Sequence, residues 1–143
     1  MYELNDTLQD FTWENYKDIS DALIQFDEGE VENEMFRQAS IYSYYYGIMS
    51  AAKRDMNDLS GDVVRLLAKL RSGYKHSATG KLTAKDLDDL VFADESYQTA
   101  QDEVNEATFK YELLKGLVRA LEQKKDMLQQ VSANKREETK LYK

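Results

Sequence analysis

The chain has 143 residues, of which 32% are charged and 42% are hydrophobic, and its formal net charge is -8. This length fits a single domain, and the composition favours long helices with much exposed surface over a thick globular core. The sequence contains no proline that would break a helix and no cysteine, which excludes disulfides, cysteine-ligated zinc and thiol catalysis. It shows neither a signal peptide nor a run of roughly 20 apolar residues that could span a membrane. We therefore expect a cytoplasmic protein with no membrane association.

The charges are sorted into blocks along the chain. Residues 1–34 hold eleven acidic residues against one lysine, which gives -10, and residues 53–85 hold eight bases against three aspartates, which gives +5. Because binding responds to local potential more than to net charge, this asymmetry indicates an interaction segment or a surface that binds polyanions.

An acidic helix is predicted at the start of the chain, because apolar residues recur there at spacings of three, four or eight. The pattern predicts a cap at Asn5 or Asp6 and an end near Gly29, with a polar face that is nearly all carboxylate. The glutamates that follow make an acidic connector, so we divide the chain into regions 1–34 and 35–143. The apolar positions are Leu4, Leu8, Phe11, Ile19, Leu23 and Phe26.

Two long helices with heptad seams are predicted after this region. The first runs from about residue 34 to 75 and contains Gly61, which costs about 1 kcal/mol relative to alanine and permits a bend. The second begins near Ser96. The first seam comprises Tyr42, Tyr46, Met49, Lys53, Met56, Ser60, Val63, Leu67, Leu70 and Tyr74, flanked by Ala52 and Leu59. The second comprises Tyr97, Ala100, Val104, Ala107, Tyr111, Leu114, Val118, Leu121, Lys125 and Leu128.

A run of tyrosines lies early in the first long helix. Tyr42 and Tyr46 fall on the seam and are predicted to lie in the core. Tyr44 and Tyr45 lie on other faces and are expected to pack against the acidic helix or another subunit. Stacking on nucleic-acid bases is the less favoured alternative.

A short helix is predicted between the two long ones. Residues 76–82 carry turn signals, and Thr83 to Asp86 resembles a capping box with aspartate in place of glutamate or glutamine. A helix through Leu87, Leu90 and Val91 should follow.

The predicted fold class is all-α, with the two long helices paired as an antiparallel hairpin. Leu113, Leu117 and Met127 widen the apolar stripe of the second long helix beyond a two-helix seam. A single hairpin would leave that apolar surface exposed to solvent, so we expect the chain to form a helical homo-oligomer that buries it.

The sequence gives little support for catalysis, and we expect no enzyme activity, no cofactor and no metal. His76 is the only histidine, and there is no nucleophile elbow or glycine-rich phosphate loop. The carboxylates between 86 and 95 lack the spacing and central glycine of a calcium loop, so we interpret them as favouring a helix dipole.

The segment from Arg65 to Lys85 is the best candidate site. Single-stranded nucleic acid requires cations that follow its phosphates and flat side chains on which its bases stack, and both types occur here. The alternative is that these lysines and arginines lie on a solvent-exposed helix face and form ion pairs with the acidic residues of 86–106. In an oligomer each subunit would repeat the segment and extend the track. The candidate binding residues are Arg65, Lys69, Arg71, Tyr74, Lys75, Lys81 and Lys85.

Three parts of the chain resemble phage recombination mediators of the UvsY type, over roughly residues 40–136. The first is Lys69-Leu70-Arg71 followed by Ser72-Gly73-Tyr74, a basic motif with a turn and an aromatic at the end of a long helix. The second is the short acidic helix from Thr83 to Val91, leading into Ala93-Asp94-Glu95. The third is a final long helix with a basic end, Lys124-Lys125-Asp126-Met127-Leu128 through Lys135-Arg136.

The resemblance implies a small, all-helical, ring-forming protein that binds single-stranded DNA. Such mediators help a RecA-like recombinase to displace single-stranded-DNA-binding protein and nucleate a filament, here in the bacterial host if the chain is phage-encoded. The family's DNA-contacting motif corresponds to Lys69 and Arg71. The acidic first helix is less like the family and is interpreted as an addition that either masks the basic segment or binds a partner.

Two other readings stay open. The net charge of -10 in residues 1–34 also fits a protein-interaction module, such as a phage-encoded inhibitor whose acidic helix mimics a nucleic acid. The heptad patterns also fit a coiled-coil assembly or virion component.

Overall fold

In the computed structural model, which describes residues 11–142, all regular structure is helical. The helices are α1 (Trp13–Ile24), α2 (Val31–Ser77), α3 (Ala84–Ala93) and α4 (Glu95–Leu141), and a 3-10 turn at Glu28–Glu30 leads into α2. The prediction of an all-α chain with two long helices is therefore confirmed.

The amino-terminal helix differs from its prediction at both ends. The proposed caps Asn5 and Asp6 lie outside the described residues, and α1 follows Thr12, whose backbone N–H donates to Oδ1 of Asn15 at 2.9 Å. The helix ends at Ile24 because Gln25 has extended backbone, with φ -69° and ψ 141°. The expected end near Gly29 is wrong because that glycine belongs to the 3-10 turn.

The predicted capping box of the short helix is confirmed. The backbone N–H of Asp86 donates to Oγ1 of Thr83 at 3.1 Å. In return, the Thr83 N–H donates to Oδ2 of Asp86 at 3.4 Å. These two bonds satisfy backbone donors that the first turn of a helix leaves without partners.

The chain divides into two compact units, and this division differs from the predicted boundary at residue 34. The terminal unit combines the chain up to Ala51 with the segment from Lys110 onward. The central unit is Ala52–Phe109. Each unit therefore contains part of α2 and part of α4, together with α1 in the terminal unit and α3 in the central unit.

The terminal unit has the larger core. In it, the Gln38 amide donates to the carbonyl of Leu121 at 2.9 Å, and the Glu34 carboxylate lies 2.8 Å from Nζ of Lys124. Because these contacts join early positions of α2 to late positions of α4, the two helices run antiparallel there. The buried apolar residues are Phe11, Val31, Ile48, Leu114, Leu117, Val118, Leu121 and Leu128.

A buried lysine joins three elements of the terminal unit. The Nζ of Lys124 donates to the carboxylate of Glu34 on α2 and to the carbonyl of Leu23 near the end of α1. It also lies 5.9 Å from the centroid of the Phe26 ring. The ammonium therefore meets a carboxylate, an otherwise unpaired carbonyl and an aromatic ring, which is how a buried charge is tolerated.

The central unit buries fewer side chains. The buried residues of α2 and α4 are small or β-branched, and α3 contributes Leu87 and Val91. Its other buried residues are Ala52, Val63 and Ala107.

The predicted seams need correction at several positions. On α4, Ala107, Leu114, Val118, Leu121 and Leu128 are buried, but Lys125 is exposed and its neighbour Lys124 is buried. On α2, Tyr46 is 49% exposed and Lys53 is exposed, whereas Ile48 and Ala52 are buried. In the terminal unit α2 packs in a group of three helices. The side of α2 that faces the core therefore differs from the side that a seam between two helices would bury.

The three residues expected to mediate oligomerisation differ in how deeply the chain buries them. Leu117 is fully buried within the chain, Leu113 is half-buried, and Met127 is 55% exposed. A Cβ at Gly116 would lie 3.8 Å from the hydroxyl of Tyr16, so α1 passes beside this stripe of α4. The argument that Leu117 needs a second copy for its burial is therefore wrong, because the chain buries this residue itself.

Candidate nucleic-acid interface

The candidate basic residues all lie in the central unit, on the last four turns of α2, in the segment after it and in the first turn of α3. Arg65, Lys69, Lys75, Lys81 and Lys85 are exposed. No acidic residue occurs between Asp62 and Asp86. This acid-free stretch forms the most basic part of the chain.

The helix places these cations on two faces. Residues four or seven apart lie on the same side of an α-helix. Arg65, Lys69 and His76 therefore share one stripe, and Arg71 and Lys75 share another. The structure does not bring all the predicted residues onto a single surface.

Two of the arginines are already paired with carboxylates. Arg65 forms an ion pair with Asp62 one turn earlier, and both side chains are largely exposed. Nη2 of Arg71 lies 3.2 Å from Oδ1 of Asp88 on α3. Exposed pairs of this kind contribute about 0–1 kcal/mol, so a phosphate competes with them at little cost. The Arg71–Asp88 pair agrees with the alternative given in the sequence analysis, in which basic residues of this segment form ion pairs with acidic residues of 86–106.

Tyr74 is held by a hydrogen bond to the beginning of α4. Its hydroxyl donates to Oδ2 of Asp94 at 2.7 Å, and this bond raises the pKa of the tyrosine. The pKa of Asp94 is lowered, first by the hydroxyl of Ser96 and then by Tyr74, because both donate to the carboxylate. Tyr74 therefore links the end of α2 to the α3–α4 junction, which adds a structural function to its predicted contact with nucleic acid.

The acids of the same unit follow directly in sequence. Residues 86–109 contain eight acidic residues and no base, whereas 63–85 contain six lysines and arginines and no acid. Asp88 and Asp94 contact Arg71 and Tyr74 directly, so these acids offset the positive potential on that side of the segment. The positive potential is carried by the cations of 63–85 that have no such partner among the described residues, Lys69 and Lys75 among them.

Sequence reasoning missed Lys124 as the central polar contact of the terminal unit. It placed Lys125 on the seam instead. Two adjacent lysines in an amphipathic helix carry no local signal that shows which of them is buried. The buried amide of Gln38 was missed for a similar reason, because glutamine is mostly exposed in proteins.

Within residues 11–142, no group of three or more histidine, aspartate or glutamate side chains is arranged to hold a metal ion. No helix in that part of the chain combines the length and the apolar character that crossing a bilayer requires. No family model, curated protein or solved structure matches the chain. Its function is therefore inferred from its own residues.

Proposed function

We propose that the protein binds single-stranded DNA through the basic segment 63–85 and acts as a recombination mediator for a RecA-like recombinase. The observation that carries DNA binding is the group of exposed cations at the end of α2 and before α3, within an acid-free stretch. Single-stranded DNA needs such cations along its backbone. The mediator role, with single-stranded-DNA-binding protein as the displaced partner, rests on the resemblance of this segment and its flanking helices to UvsY-type proteins.

The roles of the individual cations follow from their surroundings. Lys69 and Lys75 are exposed and belong to the two stripes, so a strand that crosses the helix end contacts both. Arg71 must first exchange Asp88 for a phosphate. We therefore expect Arg71 to contribute slightly less to affinity than Lys69 and Lys75, by at most about 1 kcal/mol.

A titration of fluorescent single-stranded DNA at two salt concentrations tests this function. The logarithm of the association constant should fall with the logarithm of salt concentration by about 0.7 per neutralised phosphate. Lys69→Glu combined with Lys75→Glu should abolish binding while the helix content by circular dichroism stays unchanged.

The matched control is Lys17→Glu with Arg119→Glu, which makes the same change in net charge at exposed positions of the terminal unit. This variant should bind nearly as well as the wild type. Absence of binding at low salt, affinity indifferent to salt, or equal losses in the two variants would each rule out a DNA site on segment 63–85.

A second candidate function is supported by the outer face of α1. Glu14, Asp18 and Asp21 are exposed and lie three or four residues apart, so they form one carboxylate stripe. Lys17 is the one base among them, so the exposed face of this helix keeps an excess of negative charge. An exposed face with an excess of carboxylates favours a role in binding a basic partner protein.

Neutralising the stripe separates the two functions better than deleting the first 30 residues. A deletion would also remove Phe11 from the core and the carbonyl of Leu23 from Lys124. Glu14→Gln with Asp18→Asn and Asp21→Asn preserves those contacts. A protein that mimics nucleic acid would lose its partner in this variant, whereas a DNA-binding mediator would bind DNA as well as or better than the wild type.

A further inference from the structure

A groove of about 610 Å³ runs between α2 and α4 in the terminal unit. Its α2 wall is apolar and aromatic, with Met35, Ala39 and Tyr42. Its α4 wall carries charges, at Glu122, Lys125 and Asp126. The hydroxyl of Tyr42 donates to Glu122 at 2.8 Å, which links the two walls.

Gln38 lines this groove and has an unsatisfied acceptor. Its side chain is 4% exposed, and its Nε2 donates to the carbonyl of Leu121. Its Oε1 is buried and has no hydrogen-bond partner among the described residues. A buried acceptor without a donor loses its hydration without compensation. The hydrogen-bonding capacity of this buried amide is therefore only half satisfied within the chain.

The surface next to the groove has the composition of a protein interface. Residues 38–52 contain no charged side chain, although 32% of the chain is charged. Tyr46 is half-exposed on this stretch, and Phe36 beside the groove is 86% exposed. Interface centres are depleted in charged residues and enriched in tyrosine, phenylalanine and methionine.

We propose that a second copy of the chain occupies the groove, with Phe36 of each copy inserted between α2 and α4 of the other. An exposed apolar side chain beside an apolar groove allows an isologous twofold contact, in which each molecule supplies both parts.

The charges around the groove are complementary across such a contact. The residue after Phe36 is Arg37, which is exposed, and the α4 wall that receives Phe36 carries Glu122 and Asp126 against a single base, Lys125, so its net charge is -1. No acid occurs between Glu34 and Asp55, so the acids of the contact come only from the α4 wall, where Arg37 of the other copy approaches them. Charge complementarity of this kind fixes the register of an interface. The association requires no nucleic acid.

Sedimentation velocity of the DNA-free protein over a range of concentrations tests the contact. The wild type should associate, and Phe36→Ser should raise the dissociation constant by about tenfold or more, as expected for the loss of a buried phenylalanine ring. The matched control is Phe92→Ser, which replaces another exposed phenylalanine, on α3 of the central unit. This variant should associate as the wild type does. Because both side chains are exposed, both variants should fold, which circular dichroism checks.

A charge exchange tests the proposed pairing directly. Arg37→Glu and Asp126→Lys should each weaken association several-fold, and the double variant should recover most of the wild-type affinity. A wild type that stays monomeric, equal association of Phe36→Ser and Phe92→Ser, or a double variant weaker than both single variants would overturn the contact.

Discussion

Lys124 shows how one side chain can determine the packing of a whole unit. It lies on α4, yet its ammonium bonds to a carboxylate of α2 and a carbonyl of α1. Removing one partner of a buried charge pair is more costly than removing both, because the other group then remains buried and unpaired. The position is therefore sensitive to substitutions that preserve size but remove charge.

We expect Lys124→Met to destabilise the protein by about 1–3 kcal/mol, since Glu34 and the carbonyl of Leu23 lose their donor. Urea denaturation followed by fluorescence of Trp13, the single tryptophan, measures the change at α1 itself. Lys125→Met is the control, because Lys125 is exposed. Replacing Glu34 by leucine in the same chain should recover part of the loss. Equal midpoints for the two lysine variants would contradict a structural role for Lys124.

Asp94 makes stability depend on acid pH. Its pKa is lowered from an ordinary value of 3.8 by the donors Ser96 and Tyr74, so its stabilising effect is present above that value and lost as the pH falls below it. Asp94→Asn should therefore flatten the loss of stability between about pH 4 and pH 2. Urea midpoints across this range measure the effect, with Asp102→Asn as an exposed control. Parallel curves for wild type and Asp94→Asn would show that these bonds contribute nothing.

At the scale of elements, the short helix α3 depends on its cap. It has only ten residues, and helices of that length are marginal without tertiary contacts. Leu87 and Val91 are buried, and the capping box at Thr83 satisfies the first turn. The helix is thus stabilised both by its local sequence and by its contacts in the central unit.

We expect Thr83→Ala to destabilise the central unit by about 1 kcal/mol, because the Asp86 N–H loses its acceptor. Thr83→Ser retains a hydroxyl and should lose much less. Amide hydrogen exchange measured along the chain locates the effect, which should appear in α3 first. Unchanged protection of α3 in the alanine variant would mean that its tertiary contacts alone maintain the helix.

The acidic helix α1 is anchored at its ends more firmly than along its length. None of its residues is fully buried, whereas Phe11 before it is buried and Lys124 bonds the carbonyl of Leu23 near its end. Its carboxylates remain exposed as a consequence. The outward surface of α1 therefore carries three carboxylates, Glu14, Asp18 and Asp21, against the single base Lys17.

For the whole molecule, the sorting of charge matters more than its sum. The chain contains two acid-free stretches, 35–54 within α2 and 63–85, which begins in α2 and ends in the first turn of α3. The first is aromatic and is uncharged from 38 to 52, and we propose that it binds a second copy. The second is basic, and we propose that it binds single-stranded DNA. An acidic protein can bind a polyanion only where its own acids are absent.

The two proposed surfaces should be separable by mutation. Phe36→Ser should bind a short oligonucleotide like the wild type but lose about tenfold or more on a long strand, because linked sites raise avidity. Lys69→Glu with Lys75→Glu should lose DNA of both lengths and still self-associate. Fluorescence anisotropy and sedimentation of the same samples measure the two properties. Loss of self-association in the lysine variant would show that the two surfaces are coupled.

Much of the fold could be predicted because its signals are local. The spacing of apolar residues along α2 and α4, the absence of proline and the sequence from Thr83 to Asp86 all act within a few turns of helix. The position of the basic segment at the end of α2 follows from the same signals.

What the sequence by itself determined is therefore the set of helices, their approximate ends and the order of the charge blocks. Only the tertiary structure decided that Lys124 is buried and Lys125 exposed, that Ile48 replaces Tyr46 in the core, and that Arg71 is paired with Asp88. Helical periodicity fixes which residues share a face. Which face becomes the core depends on every helix that packs against it, and the contribution of α1 and α3 is absent from the pattern of any one helix.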